Sequence, residues 1–253
     1  MLFNHQSLIL KESVTEVEEN LHGGVGLVHI TKGDFERIKI PLPPLSVQQE
    51  IVAEIEGYQK IIDGARQVVE NYKPRIKVDE GWEVVELEDM CKNLDSKRKP
   101  VTKSDRKNGT YPYYGASGIV DYVDDFIFNE ELLLISEDGA NLISRNTPIA
   151  FSISGKTWVN NHAHVLRFKN IETQKFVEVY LNSINLESYI TGCAQPKINQ
   201  DKLNKMPIPL PPLDVQKGIV AQIEEEQKLV EANKELIELF EGKIKEKIAE
   251  VWG

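Results

Sequence analysis

Ile40-Pro41-Leu42-Pro43-Pro44-Leu45 and Ile208-Pro209-Leu210-Pro211-Pro212-Leu213 are the same six residues, set 168 positions apart (208 − 40). The match runs on in the same frame: Val47-Gln48 recurs as Val215-Gln216, Ile51-Val52-Ala53 as Ile219-Val220-Ala221, and Ile55-Glu56 as Ile223-Glu224. Agreement this long without a gap is an internal repeat. With two copies it is no solenoid but a duplicated linker and helix flanking something different. The prolines fix φ, remove backbone donors and bias the residues before them to extended conformations, so no helix runs through the linker. Ser46 and Asp214 follow as candidate N-caps. Gln49 completes a capping box with Ser46, and Lys217 holds that place in the second copy.

Beyond the cap, apolar residues fall at Ile51, Ile55, Tyr58, Ile62, Ala65, Val69, Tyr72 and Ile76. Steps alternating between four and three are the seam of a coiled coil. The second copy keeps the register with Ile219, Ile223, Val230, Ile237, Phe240, Ile244 and Val251, and places Glu226 and Asn233 at two seam positions. Polar seam residues lower stability but fix register and partner. The spacing predicts a long helical pair, with two separate amphipathic helices as the plainer alternative.

Applying the same offset backwards sets residues 8–34 against residues 176–202, each a helix-like stretch followed by a glycine-containing loop. In the first, Leu8 to Leu21 reads as helix and Val25 to Ile30 as extended. Four regions follow: 1–40, the tail of an incomplete domain; 41–79, linker and first helix; 80–205, a complete domain; 206–253, linker and second helix. Within 80–205, Leu132 to Ile135, Pro148 to Ile153 and His164 to Phe168 are short apolar runs bounded by turn residues, hence strands. Residues 174–190 carry Phe176, Val177, Tyr180, Leu181 and Ile184 at helical spacing. The class expected is α+β: one domain with a mostly antiparallel, curved sheet, and two long helices paired as a coiled coil.

A chain of 253 residues with 41% apolar content can bury a real core. Cys91 and Cys193 stand alone, with no C-x-x-C spacing and no signal peptide before them, which points to a reducing, cytoplasmic compartment. No apolar run is long enough to span a membrane. The net charge of −10 argues against a nucleic-acid partner until its distribution is considered. Acid is concentrated on the second helix, whereas residues 97–107 hold six basic groups against one acid. Such a patch binds phosphate while the body repels it.

Catalytic signatures are missing. Both Pro-Pro pairs lie between leucines, so neither is the catalytic loop of an adenine methylase. No Walker lysine loop, G-x-S-x-G or H-E-x-x-H occurs. His162 and His164 are spaced to point the same way from a strand, but no third ligand cluster accompanies them and structural histidines are expected; no metal and no cofactor is implied. What remains suits nucleic acid. Lys97, Arg98, Lys99, Lys103, Arg106 and Lys107 lead into Tyr114 and Ser117. Asn141 and Arg145 follow, and then Ser154, Lys156, Thr157 and Asn160. Lysine and arginine reach phosphates or guanine edges, and asparagine pairs with adenine. Core packing competes for the tyrosines, and turns for the asparagines.

Four further motifs run in order: Y-P-Y-Y-G-A-S-G (111–118), E-D-G-A-N-L (137–142), V-N-N-H-A-H-V-L (159–166) and G-C-A-Q-P-K-I (192–198). Together with the repeated I-P-L-P-P-L-x-x-Q and its helix, they make the chain resemble the specificity subunit of type I restriction-modification systems across nearly its whole length. The resemblance implies a non-catalytic, sequence-specific double-stranded-DNA-binding subunit. Its recognition domain would read half of a bipartite site, and its two long helices, forming an antiparallel coiled-coil spacer, would dock methyltransferase subunits and, through them, the restriction and translocase subunit. A full subunit has two recognition domains and this chain has one with the tail of another. A homodimer, with seam residues such as Ile62 and Val230 paired between chains, or a split-gene partner would supply the second. The helix-pair residues under this reading are Ile51, Ile55, Tyr58, Ile62, Val69, Ile223, Val230, Ile237 and Ile244. The competing reading is a coiled-coil scaffold whose middle domain binds only protein.

Overall fold

The structure, a computed structural model, describes residues 21–22, 29–37, 42–192 and 195–252. The expected Leu8 helix therefore lies almost wholly outside the described residues, as does Cys193. Contacts divide the chain into two compact units, residues 73–227 and residues 1–72 with 228–253.

In the second of these units, helix α1 (Leu45–Asn71) pairs with the distal part of α3 (Leu213–Trp252). Lys247 meets Glu54 at 2.7 Å and Arg66 meets Glu241 at 3.2 Å, so the partner's number falls as the α1 number rises and the pair is antiparallel. The Tyr58 and Phe240 rings lie 5.3 Å apart between them. Ile51, Ile62 and Ala65 are buried, while Ile55, Tyr58, Val69, Val230, Ile237 and Ile244 are half-buried. Ile62 is thus buried within the single chain. Ile223 is also buried, but in the unit 73–227. The α1 seam stops short of its expected length: Pro74 cannot continue a helix, α1 ends at Asn71, and Ile76 packs into the core of the other unit. A short antiparallel ladder, Leu21–His22 with His29–Ile30, and a single helical turn at Lys32–Phe35 precede the linker.

The helix starts also differ from expectation. Helix α1 begins at Leu45 behind Pro44, without a side-chain cap, and α3 begins at Leu213, so Ser46 and Asp214 are inside their helices. The repeated glutamine makes a different bond, as a donor to the linker. Gln48 donates its side-chain amide to the Pro43 carbonyl at 2.6 Å, and Gln216 donates to Pro211 at 2.7 Å. One glutamine thus ties each proline linker to the first turn of its helix.

The unit 73–227 contains β1 (Glu83–Glu86), β2 (Cys91–Asn93), β3 (Asn108–Gly115), β4 (Gly118–Val123), β5 (Phe128–Asn129) and β6 (Leu132–Ser136), followed by β7 (Ala150–Ile153), β8 (Lys156–Val159) and β9 (Ala163–Phe168). Helix α2 (Ile171–Ser183), β10 (Ile190–Thr191), β11 (Lys197–Ile198) and β12 (Pro207–Leu210) complete it before α3 begins. Two four-stranded sheets form, ordered β4-β3-β8-β5 and β2-β9-β6-β7. Pairing is antiparallel apart from β8 with β3. The linker prolines 207 and 209 lie in β12, whose recorded pairing is with β1 in a two-stranded sheet, and an edge position suits residues that lack an N–H.

Strand β6 explains the double core. All five residues are buried, and period-two alternation sends Leu133 and Ile135 to a cluster with Phe176, Val177 and Leu181 of α2. Leu132 and Leu134 go to a second cluster with Leu94, Phe128, Ile153, Val159 and Val165. A strand covered on both faces reads as a continuous apolar run, which is what Leu-Leu-Leu-Ile is. Helix α2 is shifted from the expected 174–190. Asn170 caps its start by accepting the Glu172 and Thr173 amides, and the helix stops at Ser183.

Candidate nucleic-acid interface

The basic run leaves β2 through a turn at Asp95–Lys97 and crosses one face of the β4-β3-β8-β5 sheet before entering β3. Alternation on β8 puts Lys156 and Trp158 on that face, with Thr157 and Val159 buried behind. Trp158 pairs in register with Tyr113. The indole N–H of Trp158 donates to the Lys99 carbonyl at 2.7 Å, and the Lys99 amide donates to Val159 at 3.3 Å. Val101 N–H donates to the Tyr113 hydroxyl at 3.0 Å. Arg106 stacks 4.4 Å over the Tyr113 ring, donates to the Val101 carbonyl and reaches Asp121 at 3.1 Å. The arm is thus anchored along its length.

Its arginines and lysines are used differently. Arg98 and Arg106 turn inward, where a planar fork can serve several acceptors at once. Lys97, Lys99, Lys103 and Lys107 are exposed. Of the six cations of the arm predicted to meet DNA, the four lysines are exposed and the two arginines hold the arm.

Arg98 enters a buried network. One of its terminal nitrogens contacts Glu137 and donates to the Ala163 carbonyl at 2.8 Å; the other lies 3.4 Å from Asp95. Asp95 in turn meets His164 Nδ1 at 2.6 Å and accepts the Val165 amide at 2.8 Å. His164 Nε2 bonds the Ile198 carbonyl at 2.9 Å, and Lys197 reaches Glu137 at 2.8 Å. Burial acts to raise the Asp95 carboxyl, but the hydrogen bond and field of His164, the Val165 amide and Arg98 outweigh it and hold the group below its ordinary range. For Glu137 burial likewise opposes, and Lys197, Arg98 and His164 win. Asp95, Glu137 and His164 offer ligand atoms within 4.8 Å of one another, close enough for a cation. Each is already bonded to the chain's own cations or donors, so the cluster is a closed ion network. His162 bonds a different carboxylate, Asp138, at 2.9 Å.

The other expected contacts divide similarly. Ser117 and Ser154 are exposed at turns, and Lys156 is exposed at the start of β8, its Nζ 4.9 Å from the Phe126 ring and 5.6 Å from Tyr111. Tyr114 is half-buried against the second core, and burial pushes its hydroxyl pKa up. Thr157 is fully buried. Asn160 is buried, accepting the His162 amide. Asn141 closes its own loop through two bonds to Thr147. Arg145, at φ 54°, donates to the Leu181, Asn182 and Ile184 carbonyls and so caps the C-terminus of α2. Sequence spacing gives no signal for Asp95, for Asp121 or for the anchoring role of Trp158. An isolated acid or tryptophan has no periodic neighbours, and only the fold reveals its partner.

The described residues thus form an α+β domain carrying an anchored basic arm, and an antiparallel helix pair. The chain belongs to the family described as the type I restriction modification DNA specificity domain, whose model matches residues 3–71 and 79–241. Over 146 residues it is 39% identical to a Haemophilus influenzae protein assigned as a type I restriction enzyme specificity subunit, covering 57% of this chain and 37% of that protein. It is 25% identical to the type I restriction enzyme MjaVIII specificity subunit of Methanocaldococcus jannaschii, covering 98% of this chain and 68% of the relative. The fold matches a chain from a structural study of complex assembly and conformational transition of the type I R-M system, at a TM-score of 0.60 and 18% identity, over 95% of this chain and 66% of that one. It also matches the type I S subunit of M. genitalium, at 0.54 and 14%, over 99% and 72%. The chain therefore spans between about a third and about two thirds of its curated relatives. No helix among the described residues is long and apolar enough to cross a membrane.

Proposed function

We propose that this chain is the DNA-reading, non-catalytic specificity subunit of a type I restriction-modification complex. The domain at 80–205 reads one half of a bipartite double-stranded site, and the helix pair docks methyltransferase subunits and, through them, the restriction and translocase subunit. The observation that carries this reading is the pinned arm, which exposes four lysines in a family member whose net charge is −10. Lys97, Lys99, Lys103 and Lys107, with Lys156, Ser117 and Ser154, are the proposed contacts. Residues 1–40 correspond, through the internal repeat, to the tail of a recognition domain, and the other half-site falls to a second such domain.

Co-expression with a methylating subunit of a type I system, followed by modification-sensitive sequencing of the host DNA, tests the proposal. A new gapped methylated motif is expected. A palindromic motif means two identical recognition domains, and an asymmetric one means two different ones. Absence of any new methylation, with both proteins folded and co-purifying, overturns the reading.

A further inference from the structure

We infer that the buried network around Arg98 is the positioning device that sets where the lysine arm lies on DNA. The inference rests on the DNA-reading function proposed above.

The network gathers four segments that are distant in the chain: Asp95 and Arg98 at the root of the arm, Glu137 at the end of β6, Ala163 to Val165 on β9, and Lys197 with Ile198 on β11. Well-packed apolar side chains can hold such a junction at least as firmly, because desolvating charges offsets most of their attraction. What ions add is directed geometry. The Arg98 fork serves the Asp95 carboxylate, the Glu137 carboxylate and the Ala163 carbonyl together, so its backbone has one place to sit. Lys97 and Lys99 flank it and are exposed, and the next anchor, Trp158 on the Lys99 carbonyl, follows at once. Phosphate contacts carry no sequence information, but they fix the register in which base-reading groups approach their edges. Moving the root of the arm therefore shifts register while leaving lysine charge unchanged. Arg98 and Glu137 are positioning residues on this account, and neither touches DNA.

The test uses the full chain and a randomised duplex library as probe. Wild type, Arg98→Lys, Lys197→Gln and, as a contrast outside the network, Lys97→Gln are each taken through selection. Thermal melting, the salt dependence of binding, and the affinity ratio between selected and scrambled duplex are then measured. Arg98→Lys keeps the charge and loses the fork. It is expected to retain the wild-type salt slope while its specificity ratio falls about tenfold. Lys197→Gln, which leaves Glu137 its arginine, is expected to fall part of the way and serves if Arg98→Lys does not fold. Lys97→Gln is expected to lower the slope and keep the ratio. A folded network variant whose ratio stays within about twofold of wild type overturns the inference. So does a loss that merely tracks the unfolded fraction. If wild type enriches no motif, the DNA-reading function itself fails, and the positioning role with it.

Discussion

At the level of single residues, charge is used here mainly for construction. Asp95 and Glu137 are held below their ordinary values of 3.8 and 4.5, so the folded state binds their protons less readily than the unfolded chain does. The stability they contribute is fully present above those values and is lost as pH falls through the depressed ones. Melting temperature is expected to be level near neutrality and to drop from about pH 5 toward about pH 3. Asp95→Asn should start lower and show a shallower drop, and a wild-type profile of unchanged steepness in that variant would refute the assignment. Arg145 is a second builder. Its three carbonyl bonds close α2, so Arg145→Ala is expected to destabilise the domain by about 1.5–3 kcal/mol in denaturant titration. Binding to duplex DNA, measured where the variant is folded, should be unchanged. Lost affinity without lost stability would instead restore Arg145 to the reading surface.

Elements show why parts of this molecule are legible in its sequence and others are not. The seam of α1, the linkers and the buried run of β6 are periodic or proline-marked, and local rules reach them. The ends of α2 are less accessible. Asn170 is a local cap, but the stop at Ser183 depends on Arg145, which is 36 residues from Leu181 in the chain. No window of neighbours contains that information. The arm is intermediate: its basicity is plain, whereas the inward turn of two arginines and the outward turn of four lysines needs the face of the sheet beneath. The helix starts are a case of local rules chosen wrongly. Ser46 has the chemistry of a cap, but the first helical residue comes before it, and the bond at this end is the one that Gln48 donates to the linker carbonyl of Pro43. Gln48→Ala should cost about 1 kcal/mol of stability, Ser46→Ala less than about 0.5 kcal/mol. Chemical denaturation of the two variants side by side distinguishes them, and the reverse order would reinstate the serine cap.

Across the whole molecule, the net charge of −10 and the cationic arm act on DNA over different distances. Beyond a Debye length of about 8 Å at physiological salt the body's charge is screened, so the local lysines decide binding. Combining Lys97→Glu, Lys99→Glu, Lys103→Glu and Lys107→Glu in one variant reverses the exposed charge of the arm and separates a DNA reader from a coiled-coil scaffold. Arg98 and Arg106 must be left in place, because reversing either would dismantle the arm and confuse folding with binding. A DNA reader should lose affinity for duplex, and the slope of log affinity against log salt should shrink by about 0.9 for each lysine that meets a phosphate. Circular dichroism and melting should stay close to wild type, since exposed lysines contribute little to the fold. A scaffold should keep its assembly with the methylating subunit and its function untouched by the reversal. An unchanged salt slope in a folded variant would remove the arm from the DNA interface, whereas a reduced slope with assembly intact assigns reading to the arm and docking to another surface.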